Sequence, residues 1–90
     1  MQRVYIIVHG SVQGVFFRSN AKREAESLGL TGYARNMGDG TVEVVAEGPK
    51  EKLDELIEVC KKGPEAAVVE KVNVKFDKAT NEFKGFDVRH

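Results

Sequence analysis

Cysteine is all but missing from this chain: Cys60 is the only one in 90 residues. A single thiol cannot close an intrachain disulfide, which fits a reducing compartment, so the cytoplasm is the expected location. Tryptophan is absent, and histidine occurs only as His9 and His90. These two, far apart and with no cysteine partner, make no ligand cluster, so neither a metal nor a cofactor is expected. No stretch approaches the ~20 apolar residues of a membrane span. The first apolar run, residues 4–8, is too short and too β-branched to read as a signal peptide. Neither sign of charge is in excess, with 14 basic and 14 acidic residues. The bulk positive charge that draws proteins to nucleic acids or anionic membranes is therefore lacking, although a local cationic pocket is still allowed.

What is present suits one globular domain over residues 1–90, with 41% hydrophobic residues. A chain of this size buries roughly 60–65% of its unfolded surface. It has no room for a separate cofactor domain, so any site must lie on an edge of one scaffold. A monomer is the expected state.

Residues 4–8 (Val-Tyr-Ile-Ile-Val) read as a central strand, apolar on both faces. Residues 10–17 form a loop with two glycines. Residues 18–28 are helical, with Ala21, Ala25 and Leu28 on one stripe and Gly29 at the expected C-terminal stop. Residues 31–37 and 41–47 read as strands around the turn Gly38-Asp39-Gly40, with Val42, Val44 and Ala46 sharing a face. Gly48-Pro49 opens a second helix, with proline in its first turn. Its Leu53, Leu56, Ile57 and Cys60 fall at helical spacing, and Gly63-Pro64 ends it. Residues 68–77 alternate, sending Val72, Val74 and Phe76 inward. Residues 79–84 read as a polar turn, and 86–88 as a short last strand.

The order strand, helix, strand, strand, helix, strand is solved by an α+β split βαβ sandwich (βαββαβ). It has a mostly antiparallel sheet of four to five strands with two helices on one face. A right-handed crossover makes the first two strands parallel, with the third between them. The loop after the first strand and the end of the second then share a sheet edge. Asn36 should therefore meet the 10–18 loop in space.

That loop carries the most chemistry. Val12-Gln13-Gly14-Val15-Phe16-Phe17-Arg18 joins a strand to a helix, where backbone N–H groups lack ladder partners and the helix start adds unpaired donors. Such a segment is suited to an oxyanion. Gly14 allows a tight turn, and Arg18 offers a planar fork matched to two phosphate oxygens. Each charge-assisted bond contributes about 1.5–3 kcal/mol. A Walker loop is ruled out by the missing Gly-Lys-Ser/Thr ending. Taken residue by residue, this reading stops at an anion-binding edge with an amide side chain nearby.

Two longer patterns take it further. Val8-x-Gly10-x-Val12-Gln13-Gly14-Val15-x-Phe17-Arg18 resembles the first signature of the acylphosphatase family. Gly32-Tyr33-Ala34-Arg35-Asn36-x-x-x-Gly40-x-Val42, followed by Gly48, resembles the second, and the likeness runs on to residues 86–89. The resemblance implies a ferredoxin-like fold and hydrolysis of the carboxyl–phosphate bond of a small-molecule acyl phosphate without metal. It assigns phosphate binding to Arg18 and to the backbone amides of Gly14, Val15, Phe16, Phe17 and Arg18, and the placing of the attacking water to Asn36.

The chemistry fits these residues. A carboxylate leaves readily, so positioning and charge stabilisation suffice. Asn36 can orient water but is a poor base. Outside the resemblance, Asn36 would read as an ordinary residue near a turn. Arg35 should face away from it as surface charge, Asp39 serves the turn, Phe17 belongs to the core and Phe16 borders the substrate. The competing reading is a non-enzymatic binding module of the same topology, for instance an RNA-binding or small-ligand domain. The chain lacks the aromatic and basic sheet-face run that RNA-binding modules of this topology display.

Overall fold

The β-branched run at the N-terminus forms the middle of a longer strand than its apolar residues suggest. In the computed structural model, which describes residues 1–90, β1 spans Gln2–Ser11. After it come α1 (Phe17–Ser27), β2 (Thr31–Asn36), β3 (Val42–Gly48), α2 (Lys50–Lys62), β4 (Val68–Lys78) and β5 (Phe86–Arg89). The loop after β1 therefore shrinks to residues 12–16. No helix is long and apolar enough to cross a membrane.

Helix α1 forms because Phe17, Ala21 and Ala25 bury one stripe. It ends in a Schellman motif: Leu30 N–H donates to the Ala25 carbonyl at 2.9 Å and Gly29 N–H to that of Glu26 at 3.0 Å. Gly29 takes the left-handed conformation this requires, at φ 73°. Helix α2 buries Leu53, Leu56, Ile57 and Cys60. Pro49 stands at its N-cap, one position before the first turn, because Gly48 completes β3.

The sheet order is β4-β1-β3-β2-β5. β3 is antiparallel to both β1 and β2, so β1 and β2 run the same way on either side of it. Only β2 and β5 pair in parallel. Ala34, Val42, Val44 and Ala46 join Val4, Ile6 and Val8 in a core shared with both helices, which therefore cover one face. Gly32 permits the close packing of β2 on β3, since a Cβ there would overlap the Val45 carbonyl. Val74 sits opposite Ile6, as an inward residue should. It nevertheless stays 39% exposed on β4, an edge strand with no neighbour on its outer side.

The other sheet face is not simply solvated. Arg3 and Glu47 pair directly across β1 and β3, and both are buried. Arg3 Nε donates to Glu47 Oε2 at 2.7 Å. The backbone N–H groups of Thr80 and Asn81 each donate to the same carboxylate at 2.9 Å. Residues 79–84 are thus tied down as a strap rather than left as a free polar turn. Phe83 lies on the Arg3 guanidinium, 4.8 Å from ring centre to Cζ.

Burial alone would push the Glu47 carboxyl up, but these N–H donors and the Arg3 guanidinium hold it below the usual glutamate range. A carboxyl depressed in the native state stabilises the fold above its unfolded pKa, about 4.3. That contribution is lost as pH falls through the lower native value. Glu47→Gln is therefore expected to cost about 1.5–3 kcal/mol at neutral pH. The gap to the parent should close as pH falls below the unfolded glutamate value of about 4.3. Denaturant unfolding of both proteins at stepped pH measures this; a gap independent of pH would contradict it.

Candidate active site

Residues 12–16 must carry the chain from the sheet into α1 in five steps. Two of them do so with left-handed backbone, Gly14 at φ 73° and Phe16 at φ 65°. For glycine this conformation is free of strain, whereas for a phenylalanine it costs about 1–2 kcal/mol. Turns of this type line a concavity with N–H groups that suits an anion. The amides of Gly14, Val15 and Phe16 donate no hydrogen bond within the protein. Those of Phe17, Arg18 and Ser19 open α1, where no carbonyl lies one turn earlier to receive them.

The loop walls a cleft of about 340 Å³ that also takes in Arg18, Asn36 and Val88. Four elements of the chain meet there: the 12–16 loop, the first turn of α1, the end of β2 and the edge strand β5. Arg18 and Asn36 come together as the parallel placement of β1 and β2 requires. Gly14 and Phe16 line the same space, Phe16 as a residue 81% exposed at the rim. Phe17 reaches the cleft but is mostly core, at 3% exposure. Val15 does not line the cleft with its side chain. Its side chain packs against the core, leaving only its backbone for the site.

Two supports of the site end on backbone carbonyls, which residue type does not announce. Arg18 Nη1 donates to the backbone carbonyl of Arg89 at 2.9 Å and lies 3.3 Å from His90 Nδ1. The guanidinium is thereby tethered on one side while its remaining donors stay available. Gln13 Nε2 donates to the carbonyls of Met37 and Thr41, at 2.8 and 2.9 Å. That bond pair fastens the loop to the turn beside Asn36. The turn is itself set by Asp39, which accepts from Thr41 N–H and hydroxyl and is held below the usual aspartate range by them.

The other reactive groups stand apart. Cys60 is buried under α2, and burial pushes its thiol up to about 12. His9 faces Asn73 across β1 and β4, 2.8 Å from its side-chain oxygen. It sits inside the extended strand rather than at its end. Arg35 pairs with Glu43 at 2.9 Å on the sheet face opposite the helices.

A family model described as Acylphosphatase matches residues 4–88. The chain belongs to the acylphosphatase family. It is 52% identical over 89 residues to an acylphosphatase of Caldivirga maquilingensis, covering 98% of this chain and 94% of that one. With the acylphosphatase of Thermus thermophilus it shares 49% identity, over 98% and 99% of the two chains. Among solved structures, the acylphosphatase of Bacillus subtilis superposes over the full length of both chains with a TM-score of 0.95 at 34% identity. The fold is thus the ferredoxin-like one of the acylphosphatases.

Proposed function

We propose that the cleft hydrolyses acyl phosphates by positioning and charge stabilisation, with Arg18 and the 14–18 amides binding the phosphate and Asn36 placing the water. That the chain is an acylphosphatase rests on the family match and on relatives sharing about half its residues. The observation that carries the assignment of roles is the convergence of Arg18, the free loop amides and Asn36 on one cleft.

The phosphoryl group sits in the amide-lined turn, with two oxygens on the Arg18 fork. Water held by the Asn36 amide attacks phosphorus in line. A water O–P bond forms, the P–O bond to the acyl group breaks, and the carboxylate leaves with the electron pair. The water proton passes to a phosphate oxygen. Because a carboxylic acid has a pKa of about 4, the leaving group needs no proton from the enzyme. This removes the demand for a general acid.

The substrate is a free small molecule, and the chain acts as a monomer in the cytoplasm; the lone, buried Cys60 supports that setting. Assays with chelator over acetyl phosphate, benzoyl phosphate and ordinary phosphate monoesters test the reading. Acyl phosphates should turn over undiminished by chelator, and the esters at least ~100-fold more slowly, since each ~1.4 kcal/mol of lost leaving-group stabilisation is tenfold. Equal rates on esters, or loss of activity with chelator, would overturn it.

A further inference from the structure

We propose that Tyr33, on the sheet face away from the cleft, is a positioning residue for Arg18 and acts through Arg89. The proposal rests on the reading of Arg18 as the phosphate ligand.

Arg89 touches both sides of the sheet. Its backbone carbonyl accepts the hydrogen bond from Arg18. Its side chain crosses to the open face, where the guanidinium carbon lies 3.8 Å from the centre of the Tyr33 ring. That distance is well inside the range of a cation–π contact. The contact follows from the register. β2 and β5 run parallel with Tyr33 opposite Asp87, so Arg89 is the diagonal neighbour, two residues further on the same face.

The ring is a firm platform. Its hydroxyl donates to Glu43 Oε1 at 3.1 Å. Phe83 of the strap meets it edge-on, with centroids 5.8 Å apart. The strap is anchored in turn on the buried Arg3–Glu47 pair.

The far end of the strand bearing Arg89 needs such a hold, because only its first residue, Phe86, is anchored in the core. β5 has four residues and pairs with β2 alone. A four-residue strand paired on one side only opens readily unless it is tied down. When it frays, Arg18 loses its acceptor, and the guanidinium must be ordered anew each time phosphate binds. The clamp therefore acts on binding. It touches no reacting atom and should leave turnover alone.

The experiment measures the competitive inhibition constant of inorganic phosphate, with KM and kcat for benzoyl phosphate, in five variants. Tyr33→Leu removes the ring, and Tyr33→Phe keeps it. Arg89→Met keeps the carbonyl and loses the cation. Arg18→Gln and the double variant Arg18→Gln/Tyr33→Leu complete the set. Tyr33→Leu and Arg89→Met should each weaken phosphate by about 3- to 10-fold with kcat within about twofold. Tyr33→Phe should match the parent, and in the Arg18→Gln background Tyr33→Leu should add nothing. If Tyr33→Leu does not fold, the exposed Arg89→Met carries the test alone. Parent-like phosphate binding in the folded clamp variants, or an equal loss in the Arg18→Gln background, overturns the relay. Parent-like phosphate binding in Arg18→Gln itself overturns the phosphate assignment, and the relay with it.

Discussion

Arg18→Gln should raise the KM for acyl phosphate and the inhibition constant of phosphate by two orders of magnitude or more. The guanidinium supplies two charge-assisted bonds, each of about 1.5–3 kcal/mol, and glutamine retains at most one neutral donor in their place. About 3 kcal/mol corresponds to a little over 100-fold. The fold should be untouched. Arg18 is only partly buried, and its two partners in the protein are a solvent-accessible carbonyl and an exposed imidazole. Loss of such contacts changes stability by about 0.5 kcal/mol or less. Arg18→Lys should recover little of the loss, because a point charge cannot reproduce a planar fork on two oxygens. Inhibition by phosphate in a benzoyl phosphate assay, beside a thermal unfolding curve, reads both quantities. Full binding in a folded Arg18→Gln protein would remove Arg18 from the site.

Asn36→Ala should divide the kinetic constants the other way. The residue is exposed at the end of β2, and it lies in the cleft on a strand whose position is fixed by pairing to both β3 and β5. Removing its amide leaves the phosphate cradle intact, so the phosphate inhibition constant should stay within about threefold. What is lost is the orientation of the attacking water. Misplacement of a reacting group by about 1 Å costs on the order of 100-fold in rate, so kcat should fall by at least that much. An Asn36→Ala protein with unimpaired kcat would show that water is placed by something else. Asn36→Asp gives a further contrast, since a carboxylate beside a bound phosphate repels it and should weaken binding as well.

The meeting of these two residues is legible in the sequence alone, because it follows from topology, whereas their separate roles are what the resemblance to the acylphosphatase signatures implies. Two helices at 3.6-residue spacing and strands of β-branched residues set the element order, and a right-handed crossover brings Arg18 and Asn36 to one sheet edge. Where the reading falls short, the cause is polar residues acting as core. Arg3 at the start of β1 looks like solvent-facing charge, yet it is buried on Glu47, so the apolar run ends before the strand does. The strap over residues 79–84 is polar for the same reason: its backbone satisfies a buried carboxylate. In the site, the residue types that bind were legible and the groups that hold them were not. Arg18 is tethered by a backbone carbonyl, which every residue possesses. Phe16 adopts a left-handed conformation that a phenylalanine does not advertise.

The strand order also dictates when the site comes into being. β1 lies beside β4, with Gln2 opposite Lys78, and Arg18 meets a carbonyl 71 residues further along. Pairings this distant close large loops, and that entropy is spent before the contacts repay it. Chains dominated by such pairings fold slowly for their size. No local segment contains Arg18, its tether and Asn36 together. An isolated helix or hairpin of this protein therefore has no partial competence, and catalysis begins only when the two ends of the chain have found their places in one sheet.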